Sequence, residues 1–221
     1  MIEFMKLTGD GKWIVVDMQK LYETQKVIFN KWRADLPDSP IQNINNYTLH
    51  TIEELYESEN APGPMEKLEE TIDSFMYLMS SISAYELDPK FNKSVELETL
   101  YLDSDTLYRD VPTVQDIINK LMDVRRMYPE RKWHKPFNPD EIDYYMRSKL
   151  TIKTYMEAAV MIIKRMYINF DMNDTYFINA KLNKKQGFIK TLEDDKSKSI
   201  EVNIKPAKHD DLDDWDFIDL D

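Results

Sequence analysis

Cysteine is absent from this 221-residue chain. Disulfides, zinc ribbons, iron–sulfur clusters and thiol nucleophiles are thereby excluded. Glycine occurs only 4 times, and no glycine-rich loop of the kind that cradles phosphate is present. The 3 histidines, His50, His134 and His209, are scattered. His209 and Asp210 sit inside an acidic tail, a poor setting for a paired metal ligand. No apolar run reaches the length of a membrane span, and the stretch Met1 to Lys6 lacks the apolar core of a signal peptide. A cytoplasmic protein with no membrane contact is therefore expected. Basic charge is also in short supply. Lys and Arg number 29 against 41 Asp and Glu, a formal net charge of −12. Phosphate-backbone affinity comes mainly from basic surface, so a general nucleic-acid binder is disfavoured. One basic and aromatic patch, Arg125, Arg126, Arg131, Lys132, Trp133, His134 and Lys135, reads as ordinary solvated surface.

What remains is a helical pattern. Hydrophobic residues make up 42% of the chain, enough to cover one core. Apolar residues at helical spacing predict a first helix over 14–33, with Val15, Met18, Tyr22, Val27 and Phe29 among them. Gly9, Asp10 and Gly11 close a short arm before it, and Pro37 and Pro40 break the chain after it. A second helix is expected over 44–59. A third begins near Pro64, a favourable first-turn residue, with an apolar stripe of Met65, Leu68, Ile72, Phe75, Met76 and Met79. Periodicity weakens over 83–147, which reads as an irregular insertion or subdomain holding one helix, 113–127, capped by Thr113. A core helix follows, beginning at Asp140 or Ser148 and ending at Phe170, then a short one over 173–185. Residues 187–204 read as a small β-hairpin. The expected fold is all-α, a four- to five-helix core in a single domain, 1–208, followed by an acidic, disordered tail, 209–221.

Two acidic pairs carry the chemistry. Glu54 and Glu57 are three residues apart, as are Glu70 and Asp73, and each pair shares one face of its helix. Pro62, Gly63 and Pro64 lie between them as a helix-to-helix turn. Packed as a hairpin, the two helices would point four carboxylates at one spot. Such a cluster repels itself unless a cation sits within it, and oxygen-only donors suit a hard ion, most simply Mg²⁺. Mg²⁺ held in this way bridges phosphate oxygens and activates water. Solvated acidic faces are common, however, and the register is open. Glu53 with Glu57, and Glu69 with Asp73, also stand at helical spacing.

The string Glu53-Glu54-Leu55-Tyr56-Glu57, followed by Glu70-Thr71-Ile72-Asp73, resembles the E-x-x-E…E-x-x-D signature of the all-α NTP pyrophosphohydrolases. That superfamily includes MazG proteins, dimeric dUTPases and phage dCTP/dUTP pyrophosphatases. Val16 to Gln25 is similar to the first helix of the dUTPase branch, and Tyr176 to Phe188 resembles its late motif. The late motif has Asn179 in place of a lysine and lacks an arginine. The tryptophan that follows E-x-x-E in the dUTPases is missing. The resemblance spans 14–33, 44–80 and 173–188. It implies a homodimer that cleaves a deoxynucleoside triphosphate between its α- and β-phosphates. Glu54, Glu57, Glu70 and Asp73 would hold Mg²⁺, and one of these carboxylates or Glu53 would activate the water. Lys181, Lys184 and Lys185 would bind the outer phosphates, with Tyr176 in the same motif. Asn183 would position sugar or phosphate, and Gln25 would read a pyrimidine edge. The implied substrate is dUTP, with dCTP second, and the apolar helix 152–170 is a candidate dimer interface. A phage source is the leaning of the first segment.

The chain ends with acids alternating with large apolar residues, Asp210 to Asp221. This reads either as a solubilising tail or as a docking tail that inserts Trp215, Phe217 and Ile218 into a protein partner. Two rival readings follow. One is a MazG-like hydrolase of other or non-standard NTPs. The other is a non-catalytic interaction protein acting through the tail.

Overall fold

Residues 2–32, 40–87, 94–127, 141–168 and 175–186 are described by the computed structural model, with 141–148 described as helical backbone only. The chain opens not with a helix but with strands. β1 (Met5–Leu7) and β2 (Trp13–Val16) form an antiparallel hairpin that pairs Met5 with Val16 and Leu7 with Ile14. Its turn is built by local polar chemistry. Asp10 accepts hydrogen bonds from the Thr8 hydroxyl at 2.5 Å and from the Lys12 amide at 3.1 Å. Gly11 has a φ of +71°, a conformation that an L side chain resists and glycine accepts freely. The first helix expected from residue 14 therefore starts later. Asp17 ends the strand and caps α1 (Met18–Trp32), its carboxylate accepting from the Lys20 amide at 3.0 Å.

α2 (Pro40–Asn60) and α3 (Pro64–Glu86) form the expected hairpin. α3 is the axis of the fold. It packs against α1, α2 and a later helix, α5 (Glu141–Met166). Its inner positions Ile72, Phe75, Leu78, Met79, Ile82 and Tyr85 are fully buried. Burial of such side chains stabilises a fold by about 1.5–3 kcal/mol each, so this helix anchors the core.

Within the segment expected as an irregular insertion, the described residues 94–127 contribute to that core. Glu86 accepts from the Val95 amide at 2.6 Å, and Gln19 accepts from the Leu97 amide at 2.8 Å. β3 (Leu100–Asp103) then joins the antiparallel sheet, in the order β1-β2-β3, with Ile14 opposite Leu102. α4 (Val114–Met127) follows. Its cap is reciprocal: the Asp116 amide donates to the Thr113 hydroxyl oxygen at 3.1 Å, and Asp116 accepts from the Thr113 amide at 2.9 Å. Ile117, Leu121 and Val124 bury this helix in the core.

α5 uses its apolar face inside the chain. Tyr155, Ala158, Ala159, Ile162 and Ile163 are all buried, and the helix packs on α3 and α4. Those five positions are thus covered within the chain. The chain is mostly helical, with six helices and one three-stranded sheet among the described residues. Among them no helix is long and apolar enough to cross a membrane. The hairpin expected over 187–204 and the acidic tail lie outside the described residues.

α6 (Thr175–Gln186) is fastened by two asparagines to the start of β1 and to the residues before it. Buried Asn179 accepts from the Phe4 and Met5 amides at 2.9 and 3.0 Å and donates to the Met5 carbonyl at 2.5 Å. Asn183 accepts from the Ile2 amide at 2.8 Å and donates to the Ile2 and Asn179 carbonyls, both at 2.7 Å. Replacing Asn179 with Leu leaves buried backbone groups without partners, at about 1–3 kcal/mol for each unsatisfied group. We expect Asn179→Leu to lower unfolding free energy in urea by about 3 kcal/mol. A loss under about 1 kcal/mol would show that the clamp is dispensable.

Candidate metal centre

Pro62-Gly63-Pro64 sets the site's geometry. Gly63 is extended, with φ −135° and ψ 165°, and Pro64 stands at the start of α3. The missing amide of Pro64 costs the helix nothing in its first turn. The chain reverses here, so positions 54 and 57 on α2 come to face position 70 on α3. Carboxylate oxygens of Glu54, Glu57 and Glu70 lie within 4.8 Å of one another. Glu54 and Glu70 are half-buried and Glu57 is exposed.

Electrostatics follow from this crowding. Burial pushes the Glu54 carboxyl up from its ordinary value of 4.5 to about 8, helped by a hydrogen bond to Glu70 and by the charges of Asp73, Glu57 and Glu70. Burial first, and like-charge crowding second, thus favour the protonated form of Glu54 at neutral pH. Asp73 is also raised by burial, against the opposing pull of Lys185. Lys185 pairs with Asp73, and Lys181 pairs with Glu69. Glu69 is held below its ordinary value chiefly by its hydrogen bond from Lys181.

Aromatic rings line the helix faces beside the carboxylates. His50 lies one turn before Glu54 on α2, and Tyr77 one turn after Asp73 on α3. Their ring centroids are 5.1 Å apart, and Tyr47 lies 6.2 Å from Tyr77 and 5.5 Å from Phe29. Burial raises the Tyr77 phenol, and Glu54, Asp73, Glu53 and Glu57 add to the effect. The ring therefore sits within the field of the acidic group. Gln25 reaches the same face of α3, donating from Nε2 to the Ser80 hydroxyl at 3.1 Å. Its side chain is only 7% exposed, and its Oε1 is buried without a hydrogen-bond partner.

The residues singled out from sequence divide into two groups. Glu54, Glu57 and Glu70 come together, with Asp73 close enough to act on Glu54 and held by Lys185. Glu53 instead hydrogen-bonds His50 Nδ1 at 2.8 Å and is mostly exposed. Lys184 is exposed on α6 and contributes to the field at Glu69. Tyr176 is 71% exposed in the first turn of α6. Asn183 donates one amide hydrogen to the Ile2 carbonyl and the other to the Asn179 carbonyl of its own helix, so it has no donor left for a sugar or phosphate. Sequence reasoning missed the ring group of Phe29, Tyr47 and Tyr77. The available signal was spacing: Tyr77 stands seven residues after Glu70, and Tyr47 seven before Glu54, on the same helix faces.

Compared with known proteins, the chain matches no family model, no curated protein and no solved structure.

A carboxyl whose pKa is higher folded than unfolded binds more protons in the folded state. Folding stability from this group is therefore lost as pH rises from about 4.5 to about 8. Glu54→Gln removes the ionisation. In metal-free buffer this variant is expected to melt above the wild type at pH 8.5 and level with it near pH 5, read by circular dichroism. A variant that melts lower at pH 8.5 would contradict the crowding.

Proposed function

We propose that this protein is a Mg²⁺-dependent nucleoside triphosphate pyrophosphohydrolase that converts dUTP, with dCTP as second substrate, to the monophosphate and pyrophosphate. One observation carries the reading: Glu54, Glu57 and Glu70 converge from two helices of a hairpin, with Asp73 beside them. The signature resemblance supports it from a second direction. The donor set fits the ion, because it is all carboxylate oxygen and is crowded enough to hold a proton in place of a cation. Bound there, Mg²⁺ would supply charge neutralisation for the triphosphate and polarise the attacking water.

The remaining parts come from the chain's own residues. Glu54, Glu57, Glu70 and Asp73 are the proposed ligands. Water adds to the α-phosphorus, the bond to the bridging oxygen breaks, and pyrophosphate leaves with the electron pair. A carboxylate of the cluster, or Glu53, accepts the proton from water. Lys181, Lys184 and Lys185 stand on α6 beside the acidic helix, where ammonium groups suit the outer phosphates. The rings of Tyr47 and Tyr77 and the unpaired Gln25 Oε1 suit a planar base that carries an N–H donor. Tyr176 belongs to the proposed substrate site through the motif alone. Homodimeric assembly and a cytoplasmic location are part of the same proposal.

Pyrophosphate release from dUTP, dCTP, dTTP, dATP, dGTP and the ribonucleotides, with and without Mg²⁺, tests the reading. Mg²⁺-dependent release with a pyrimidine preference is expected, and Glu57→Gln or Asp73→Asn should each lower kcat by about 100-fold or more. A preference for other or modified nucleotides would move the protein to MazG-like chemistry. No release from any nucleotide by folded protein would leave the interaction protein as the better reading.

A further inference from the structure

The acidic hairpin carries positive charge of its own. Lys185 pairs with Asp73 and Lys181 with Glu69. Both pairs join residues 112 apart in sequence, so α3 and α6 run in the same direction and mesh two acids with two bases, each at i,i+4 spacing. α6 is held in place by the Asn179 and Asn183 clamps and by buried Ile178 and Leu182. The lysine heads are less constrained. The Lys185 side chain is 38% exposed and that of Lys181 is 16% exposed.

The two lysines hold different kinds of acid. Glu69 lies outside the converging group of Glu54, Glu57 and Glu70 and is not one of the proposed ligands. Asp73 does act on Glu54. An ammonium group on Asp73 and a divalent cation on the same carboxylate repel strongly at contact distance. That repulsion favours exchange of one for the other.

We propose that Lys185 is a resident counter-ion of the metal centre, released from Asp73 as a divalent cation arrives and transferred to the phosphates of the bound nucleotide. This rests on the reading of Glu54, Glu57, Glu70 and Asp73 as metal ligands. In the metal-free protein the Lys185–Asp73 pair competes with the cation, so Mg²⁺ alone binds weakly. A polyphosphate gives the released ammonium a new anionic partner and removes that competition. Cation and polyphosphate therefore strengthen each other's binding, as linkage requires. Lys181, whose partner is outside the ligand set, is not displaced by the cation itself.

Calorimetric titration of the full chain with Mg²⁺ alone tests the exchange. Lys185→Met is expected to bind Mg²⁺ about 5- to 20-fold more tightly than the wild type. Lys181→Met removes the same charge one turn away and is expected to stay within about twofold, because screening weakens a charge that does not touch the ligand set. Equal tightening in both variants would reduce the effect to net charge and overturn the exchange. So would unchanged affinity in Lys185→Met alongside saturable binding that Glu57→Gln abolishes, a result that leaves the metal centre standing. Absence of saturable Mg²⁺ binding, or binding that Glu57→Gln leaves intact, would overturn the metal centre and the exchange with it.

Discussion

Repulsion among carboxylates that the helix hairpin forces together is the constraint on which the site depends. Helical spacing puts Glu54 and Glu57 on one face of α2 and Glu70 and Asp73 on one face of α3. The proline-flanked turn then closes the two faces on each other. Half-burial makes the charge harder to bear, because water no longer screens it fully. The chain answers with a proton on Glu54 and an ammonium group on Asp73. That proton and that ammonium group distinguish this cluster from an acidic surface that water already solvates.

The rest of the fold holds that hairpin still. α3 supplies carboxylates on one side and a continuous buried face on the other, so its position is set by core packing against α1, α2 and α5. The small sheet does a different task. By pairing with β2 and accepting the asparagine clamps, β1 ties the start of the chain to α6, and α6 brings Lys181 and Lys185 alongside α3. The lysine ladder thus depends on contacts made far from it in sequence.

Legibility in the sequence followed the range of the interactions. The α2–α3 hairpin was readable because both its signals are local: acids at i,i+3 and a Pro-Gly-Pro break. The Thr113 cap of α4 was readable for the same reason. The β1–β2 hairpin was missed although Asp10-Gly11 is a strong turn signal. Ile14 and Val15 extended the helical pattern of Met18 and Tyr22 backwards, and Asp17 was read as helix interior rather than as its cap. β3 and the buried segment at 95–97 could not be read locally, since their partners are Ile14, Gln19 and Glu86. The contacts made by 176–186 were not legible in their spacing. Asn183 turned out to be spent on the Ile2 backbone, and Lys185 on Asp73, neither of which spacing reveals.

The most direct test of the account is a crystal structure of the protein soaked in Mn²⁺, a hard divalent ion whose anomalous scattering locates it without ambiguity. The account predicts an anomalous peak bonded to Glu54, Glu57 and Glu70 at about 2.2 Å. A peak elsewhere in the molecule, with no ion bonded to Glu54, Glu57 or Glu70, would contradict it.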